Sequence, residues 1–427
     1  MRAVFLFKRD LRIKDNAGLS KAAEKHSEII PFFIFDRDII NEIKAEGERL
    51  NYVVKSIENL SSKIKIYCLY GETKEALENL FKIAKPTHLY TSSSWTWSGK
   101  KRNELIKNLC KNYGIEYVEV FENLLVRPEK ITPKKIFTHF YNEWIKKVEL
   151  ETNEINEFKV PDLPLPTIQE IKKQLKIKNY EIFKPEDCEK RLEKFEFEKY
   201  DKLRDFPGLD GSSKLSPCIR FGIISLRQIY RHANGRSEKF IKELCWREFW
   251  YHIAINFPET QNIEFQEKRR KISWENNERY INAFFEAKTG YPIVDAGIRQ
   301  LIQEKWIHNR IRMILASFLT KVMNVDWRIG EKFFKEHLLD YDEVVNIGNW
   351  QWSASVGADP RPFRFFNPIL QARRYDPDCT YIKKYIPELS NIPCDLLHDP
   401  LNNNLKYHKP IVNYYERVPL TRKIFNL

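Results

Sequence analysis

Three stretches of this 427-residue chain combine side chains and spacings suited to chemistry. The run Gly211-Ser212-Ser213-Lys214-Leu215-Ser216-Pro217 follows a glycine with small hydroxyl residues. Backbone N–H groups and hydroxyls in such a run converge on phosphate oxygens, and a helix beginning there adds its dipole. Taken alone, the run is equally a plain helix cap, since serine commonly serves as one. In Glu243-Leu244-Cys245-Trp246-Arg247-Glu248-Phe249-Trp250, helical spacing puts Glu243, Trp246 and Trp250 on one face. An acid beside aromatic rings suits hydrogen bonding and stacking of a planar heterocycle. Ordinary amphipathic packing leaves the same pattern. The densest stretch runs from Asp326-Trp327 through Asp340-Tyr341-Asp342 to Asn346-Ile347-Gly348-Asn349-Trp350-Gln351-Trp352. Asn346 and Trp350 are four apart and share a helical face, whereas Trp350 and Trp352 point nearly opposite ways. One ring then suits a buried relay and the other an open cleft; for any single tryptophan, simple core packing is the commoner outcome.

Tryptophan distribution adds weight. Seven of the ten tryptophans fall between Trp246 and Trp352, more than an ordinary core needs. In Trp306-Ile307-His308-Asn309-Arg310-Ile311-Arg312-Met313, Asn309, Arg312 and Met313 share a helical face. His308 there reads as a hydrogen-bonded structural histidine rather than a catalytic one. The seven cysteines include no CxxC pair and are odd in number, so disulfides and a metal site are not expected. A net charge of +13 is compatible with a polyanionic partner, or with a lysine-rich proteome. No run of eighteen apolar residues is present, so no membrane span is expected, and a cytoplasmic location follows by default.

The elements that must position these residues are of two kinds. Over residues 1–130, apolar runs at Ala3–Phe7, Ile29–Phe35, Ile64–Leu69, Thr87–Tyr90 and Ile115–Phe121 alternate with helical stretches at 16–26, 46–62, 72–84 and 100–112. That pattern predicts five parallel strands in a doubly wound α/β domain, with continuous apolar strands because both faces are covered. No GxGxxG follows the first strand, so a standard dinucleotide site is not expected there. Residues 131–195 read as a connector, charged and proline-bearing over 151–195. From 196 to 427 the pattern is helical, with three- and four-residue apolar spacing through Phe240–Ile255, Ile293–Gln303 and Ile307–Val322.

Taken in order and spacing, these motifs resemble the photolyase/cryptochrome family, and within it the class I cyclobutane pyrimidine dimer photolyases. The resemblance runs from Phe7-Lys8-Arg9-Asp10-Leu11-Arg12 to Pro410-Ile411-Val412. It is strongest over 200–368, including Thr289-Gly290-Tyr291-Pro292 and Phe366-Asn367-Pro368. It implies an N-terminal antenna-chromophore domain and a helical domain that binds a U-shaped FAD. Tyr200, Ser212, Ser213, Lys214, Leu215 and Ser216 would hold the phosphates. Arg312 and Asp340 would pair beside the flavin ring, with Tyr341 and Asp342 near it, and Asn346 would face the flavin N5. The tryptophan relay carries over as Trp350, Trp327 and Trp274, from flavin to surface, leaving Trp250 and Trp306 as core.

The same resemblance implies a lesion pocket of Glu243, Trp246, Asn309, Arg310, Met313 and Trp352, with Arg204 and Arg364 meeting phosphates or lesion edges. Related (6-4) photolyases carry histidines at the Asn309 and Met313 positions, so a (6-4) activity is not expected. The implied function is light-driven repair of cyclobutane pyrimidine dimers by electron transfer from reduced FAD to a dimer swung out of DNA. The partner is damaged DNA, and a monomer is expected. A second chromophore is also implied. Ser94-Trp95-Thr96-Trp97-Ser98-Gly99 does not match the folate type, so a deazaflavin or a second flavin fits better. The competing reading is a cryptochrome-type blue-light photoreceptor, which shares the flavin and the relay. Asn346 and the lesion-pocket residues favour repair.

Overall fold

A computed structural model describes residues 2–42, 46–358, 363–402 and 405–426. By its internal contacts the chain forms two compact units. One comprises Met1–Thr132, Tyr141–Phe195 and Ser213–Tyr251; the other comprises Pro133–Phe140, Glu196–Ser212 and His252–Leu427.

The first unit is built on a five-stranded parallel sheet: β1 (Arg2–Phe7), β2 (Glu28–Asp36), β3 (Tyr67–Gly71), β4 (His88–Ser92) and β5 (Glu116–Val120), in the order β3-β2-β1-β4-β5. β1 and β2 are nearly continuous apolar runs, but the expectation fails at β5, an edge strand that alternates glutamate with apolar residues (EYVEV) and has no fully buried position. Helices Ala17–Lys25, Glu46–Ser61, Thr73–Ala84 and Trp97–Asn112 alternate with the strands along the chain. The five strands and four helices match those expected from the apolar runs, with ends shifted by a few residues. One short helix, Arg37–Glu42, has no counterpart in the expected pattern. The core on one side of the sheet gathers Val4, Leu6, Ile30, Phe32, Leu77, Leu80, Leu89 and Ile106.

Two buried devices tie the chain outside the sheet to it. Arg12 and Arg227 share Glu122, and Arg227 also pairs with Asp15 at 3.0 Å. Gly222 ends the helix Ser216–Phe221 in the left-handed region, φ 65°, and a β-carbon there would lie 1.9 Å from the Arg9 carbonyl oxygen. Only glycine accepts both that conformation and that approach.

The expectation of no disulfide is corrected in this unit: Cys188 and Cys218 are bonded to each other. They lie thirty residues apart, on helices Cys188–Lys194 and Ser216–Phe221. Spacing rules detect short-range pairs such as CxxC, and an odd cysteine count is silent about any one pair. The five remaining cysteines are free thiols.

The second unit is helical, and no strand occurs among its described residues. Its principal helices are Pro292–Glu304, Asn309–Ser317, Trp327–His337, Glu343–Ser353, Pro368–Tyr375 and Tyr414–Ile424. The helix from Asn309 continues into a π-helical turn, Phe318–Val322. The buried carboxylate of Asp295 accepts from Thr289 N, Thr289 Oγ1 and Gly290 N, which holds the Thr289-Gly290-Tyr291-Pro292 turn at the head of its helix. No described helix is long and apolar enough to cross a membrane.

Candidate functional site

The second unit holds several polar groups that are buried or half-buried. The guanidinium of Arg312 donates to Oδ2 of Asp340 at 2.8 Å. Oδ1 of Asp340 is also buried and has no hydrogen-bond partner among the described residues. Asp342 caps the helix Glu343–Ser353 by accepting from Val345 N. One turn on, Asn346 is buried, and its Nδ2 donates to Glu331 Oε1 at 3.1 Å and to the Glu331 carbonyl at 3.3 Å. Tyr341 donates its hydroxyl to the same Oε1 at 2.9 Å. Burial raises the pKa of Glu331 above the ordinary carboxylate value, against the opposing pull of the Asn346 and Tyr341 hydrogen bonds. Glu331 escaped the sequence reading. It stands fifteen residues before Asn346, on the Trp327–His337 helix, and no short-range spacing joins the two.

Three tryptophans expected to form a relay are held by this unit's own packing. Trp350 is buried, stands edge-on to Phe334 and lies against the backbone of Gly330. A β-carbon on Gly330 would fall 2.2 Å from Trp350 Cη2, so a glycine is needed there. Gly330 is one turn along the helix that begins at Trp327, which places Trp350 beside that turn. Trp327 is buried and donates its indole N–H to Glu264 Oε1 at 3.1 Å. The loop bearing Trp274 is fastened to the chain just before Trp327. Glu275 N donates to Asn324 O, Asn324 Nδ2 donates to Ser273 O, and Asp326 N donates to Asn276 Oδ1. Trp274 itself is half-buried and packs on Phe425. Trp306 in this unit and Trp250 in the other are buried.

Among the expected recognition residues of this unit, Asn309 is exposed and its Nδ2 reaches Met313 Sδ at 3.8 Å, one turn away. Arg310 is tied by its own neighbours. It donates to Asp205 at 2.6 Å and stacks over the Tyr375 ring. Trp352 is half-buried beside Phe366, and its buried indole N–H has no partner among the described residues. Arg364 is exposed, and Arg204 lies over the ring of buried Tyr200. Ser212 is half-buried. His308 caps its helix by accepting from Arg310 N, and burial holds its pKa down at about 4, so it is neutral near pH 7.

The remaining expected residues belong to the first unit. Ser213 accepts from Leu215 N, Lys214 adopts φ 51°, and Ser216-Pro217 opens a six-residue helix. The Cys188–Cys218 bond and Gly222 anchor that helix. Glu243 and Trp246 are half-buried on the helix Glu238–Asn256, with Trp246 tilted against Trp250. Five residues along from Glu243, buried Glu248 accepts from Leu125 N, Val126 N and Trp144 Nε1.

A second polar centre of the first unit lies at the carboxyl ends of β1 and β4, where the sheet order reverses. Open α/β sheets bind ligands at such switch points. Lys8 donates to Ser92 O, Ser94 Oγ and Asn103 Oδ1, and burial lowers its pKa to about 7. Trp95 donates to Glu122 O, while the buried indole N–H of Trp97 has no partner among the described residues.

The second unit's residues fit a flavin. A cofactor with a polar edge would satisfy the unpaired oxygen of Asp340. Matches to known proteins agree. Residues 3–166 match the family model described as DNA photolyase, and residues 240–425 match the FAD binding domain of DNA photolyase. The deoxyribodipyrimidine photo-lyase of Alkalihalophilus pseudofirmus is 33% identical, over 94% of this chain and 90% of that protein. An archaeal photolyase from Sulfolobus tokodaii, crystallised with two FAD molecules, superposes with a TM-score of 0.92 at 34% identity, covering 100% of both chains. A cryptochrome from Synechocystis superposes with a TM-score of 0.90 at 25% identity, over 99% of each chain. With both halves matched and full-length relatives at a third identity, this chain belongs to the DNA photolyase family.

Proposed function

We propose that this protein repairs cyclobutane pyrimidine dimers in DNA, the flavin's contribution being light-driven electron transfer from bound, reduced FAD to a dimer swung out of the helix. The observation that carries this reading is the Asn346–Glu331 contact. With Nδ2 committed to Glu331, the amide oxygen of Asn346 accepts no hydrogen bond among the described residues and is the atom left to meet a donor. A reduced flavin carries such a donor at N5, so the arrangement suits the reduced state that repair requires.

In the second unit, Tyr200 and Ser212 would contact phosphate, and Arg312 with Asp340 would flank the flavin ring, with Tyr341 and Asp342 near it. Ser213, Lys214, Leu215 and Ser216 of the first unit would serve the phosphates. For the lesion, Trp246 and Trp352 would pack the fused pyrimidines, and Asn309 with Met313 would line the recess. Arg204, Arg310 and Arg364 would meet phosphates or lesion edges. Glu243 would hydrogen-bond a thymine edge and stabilise charge as it arrives there. Trp350, Trp327 and Trp274 would pass electrons inward to restore the reduced flavin. The residue ranges 1–130, 131–195 and 196–427 would serve as antenna domain, connector and FAD-binding domain of a monomer acting on damaged DNA.

A second chromophore, a flavin or deazaflavin, would occupy the switch point near Lys8 and Trp97. The unpartnered Trp97 indole supports a ligand there, and the two FAD molecules of the Sulfolobus tokodaii relative support a flavin. The absorption spectrum of chromophores released from purified protein identifies it.

The repair test mixes reduced protein with a dimer-bearing oligonucleotide under blue light. Dimer loss is expected in light and not in darkness. Glu243→Ala should lower the repair yield several-fold with FAD retained. No light-dependent loss in the parent protein sinks the repair reading and favours a photoreceptor, which the cryptochrome likeness would then support.

A further inference from the structure

The middle tryptophan has a carboxylate partner that the relay as described does not use. Trp327 is buried, and so is Glu264, which accepts the Trp327 indole N–H at 3.1 Å. Glu264 Oε1 also receives Arg328 NH1 at 3.0 Å, and the Arg328 guanidinium lies 4.7 Å from the centre of the Trp327 ring. Arg328 has other partners. It binds both oxygens of Asp326, at 3.0 and 3.1 Å, and donates from Nε and NH2 to the carbonyl of Asn262. Among the described residues, Arg270 meets the backbone carbonyl of Glu264 and not its carboxylate.

Two opposite electrostatic effects therefore converge on one indole. A guanidinium over a ring opposes positive charge on that ring. A carboxylate on the N–H favours it, and a charge-assisted hydrogen bond strengthens as the donor becomes more acidic. One-electron oxidation turns a weakly acidic indole N–H into a strongly acidic one.

We propose that Glu264 is a positioning residue that takes the indole proton of Trp327 when Trp327 is oxidised, and so holds the electron hole on the middle of the relay long enough to move outward. The proposal rests on the relay reading above. Trp327 gives one electron to oxidised Trp350; light-driven oxidation of Trp350 is the chemistry a bound flavin would supply. The Nε1–H bond of Trp327 breaks, its electron pair stays on nitrogen, and the proton forms an O–H bond on Glu264 Oε1. Trp327 is left as a neutral radical. Trp274 then supplies one electron to Trp327, and the proton returns from Glu264 to Nε1. While Glu264 is neutral, Arg328 remains paired with Asp326, so the transfer strands no guanidinium. Without the carboxylate, Arg328 over the ring would push the hole back toward Trp350.

The test uses flavin-loaded protein carrying Trp274→Phe, so that the hole stops at Trp327. Transient absorption distinguishes the tryptophan radical cation from the neutral radical, in H2O and in D2O. With Glu264 present, the neutral radical should form and its formation should slow in D2O. With Glu264→Gln, the cation should persist, the isotope effect should vanish, and the hole should return several-fold faster. Glu264→Asp, which keeps a carboxylate at greater reach, should deprotonate Trp327 more slowly than the parent. A Raman band sensitive to indole N–H hydrogen bonding, read in flavin-free protein, should weaken in Glu264→Gln. An unchanged radical spectrum and isotope effect in Glu264→Gln would overturn the proposal. An unchanged radical yield in Trp327→Phe would instead overturn the relay reading on which it rests.

Discussion

Asn346 donates its side-chain amide to Glu331 at 3.1 Å, and Tyr341 donates to the same carboxylate oxygen at 2.9 Å. Two donors on one half-buried acceptor fix which way the Asn346 amide points. Glu331→Leu should leave Nδ2 of buried Asn346 with only the backbone carbonyl of residue 331 as acceptor, at a cost of about 1–3 kcal/mol. The amide would then be free to turn its donor end toward a flavin, a poorer partner for the reduced form. Faster dark reoxidation of the reduced flavin in air is expected. An unchanged reoxidation half-time would show that Glu331 does not set the orientation of Asn346.

Gly330 leaves the space that Trp350 fills. Gly330→Ala puts a methyl 2.2 Å from Trp350 Cη2, and the helix and ring must shift. Overpacking of this kind costs about 1–3 kcal/mol. Photoreduction of bound FAD should slow several-fold, as it should in Trp350→Phe, while chemically reduced Gly330→Ala protein still repairs dimers. Photoreduction at the parent rate would mean that Trp350 does not carry the electron, or that its position tolerates the shift.

Glu248 gives stability a pH dependence with a definite sign. Burial raises its pKa from the ordinary 4.5 to about 7, against the hydrogen bonds from Trp144, Leu125 and Val126. Between those values the folded protein holds a proton that the unfolded chain has released. Raising the pH through that window therefore destabilises the fold, and above it the full cost of the buried charge is present. The contribution is on the order of 3 kcal/mol, from roughly 1.4 kcal/mol per unit of pKa. Glu248→Gln should flatten the Tm profile between pH 4.5 and pH 7, while lowering Tm at pH 5 because one donor now faces an amide NH2. A slope equal to the parent's would place the pH dependence elsewhere.

The Cys188–Cys218 bond closes a loop of about thirty residues next to the Ser213–Ser216 run. A cross-link of that span stabilises by about 3–4 kcal/mol through the unfolded chain. Cys188→Ser, or reduction of the parent protein, should lower Tm. Thiol titration of denatured, unreduced protein should count five free thiols. Seven would show the bond is not formed.

Much of the fold was legible along the chain. A strand covered on both faces is apolar along its length, so β1 and β2 stood out, whereas β5 at the sheet edge kept only a weaker, alternating signal. Three- and four-residue spacing announced the helices around Trp246, Ile293 and Asn309. The order of the motifs announced the family. Those signals are local, because backbone geometry alone relates residues within a turn or along a strand.

Partnerships across the fold had no such signal. Glu331 with Asn346, Glu264 with Trp327, and Gly330 with Trp350 join residues fifteen, sixty-three and twenty positions apart. Cys188 and Cys218 gave no signal for the same reason, since a separation of thirty positions erases any spacing rule. The sequence by itself determined which residue types were available and which helix or strand carried each. Only tertiary packing decided which carboxylate met which amide or indole, because burial leaves a polar group to find whatever partner the packing brings within reach.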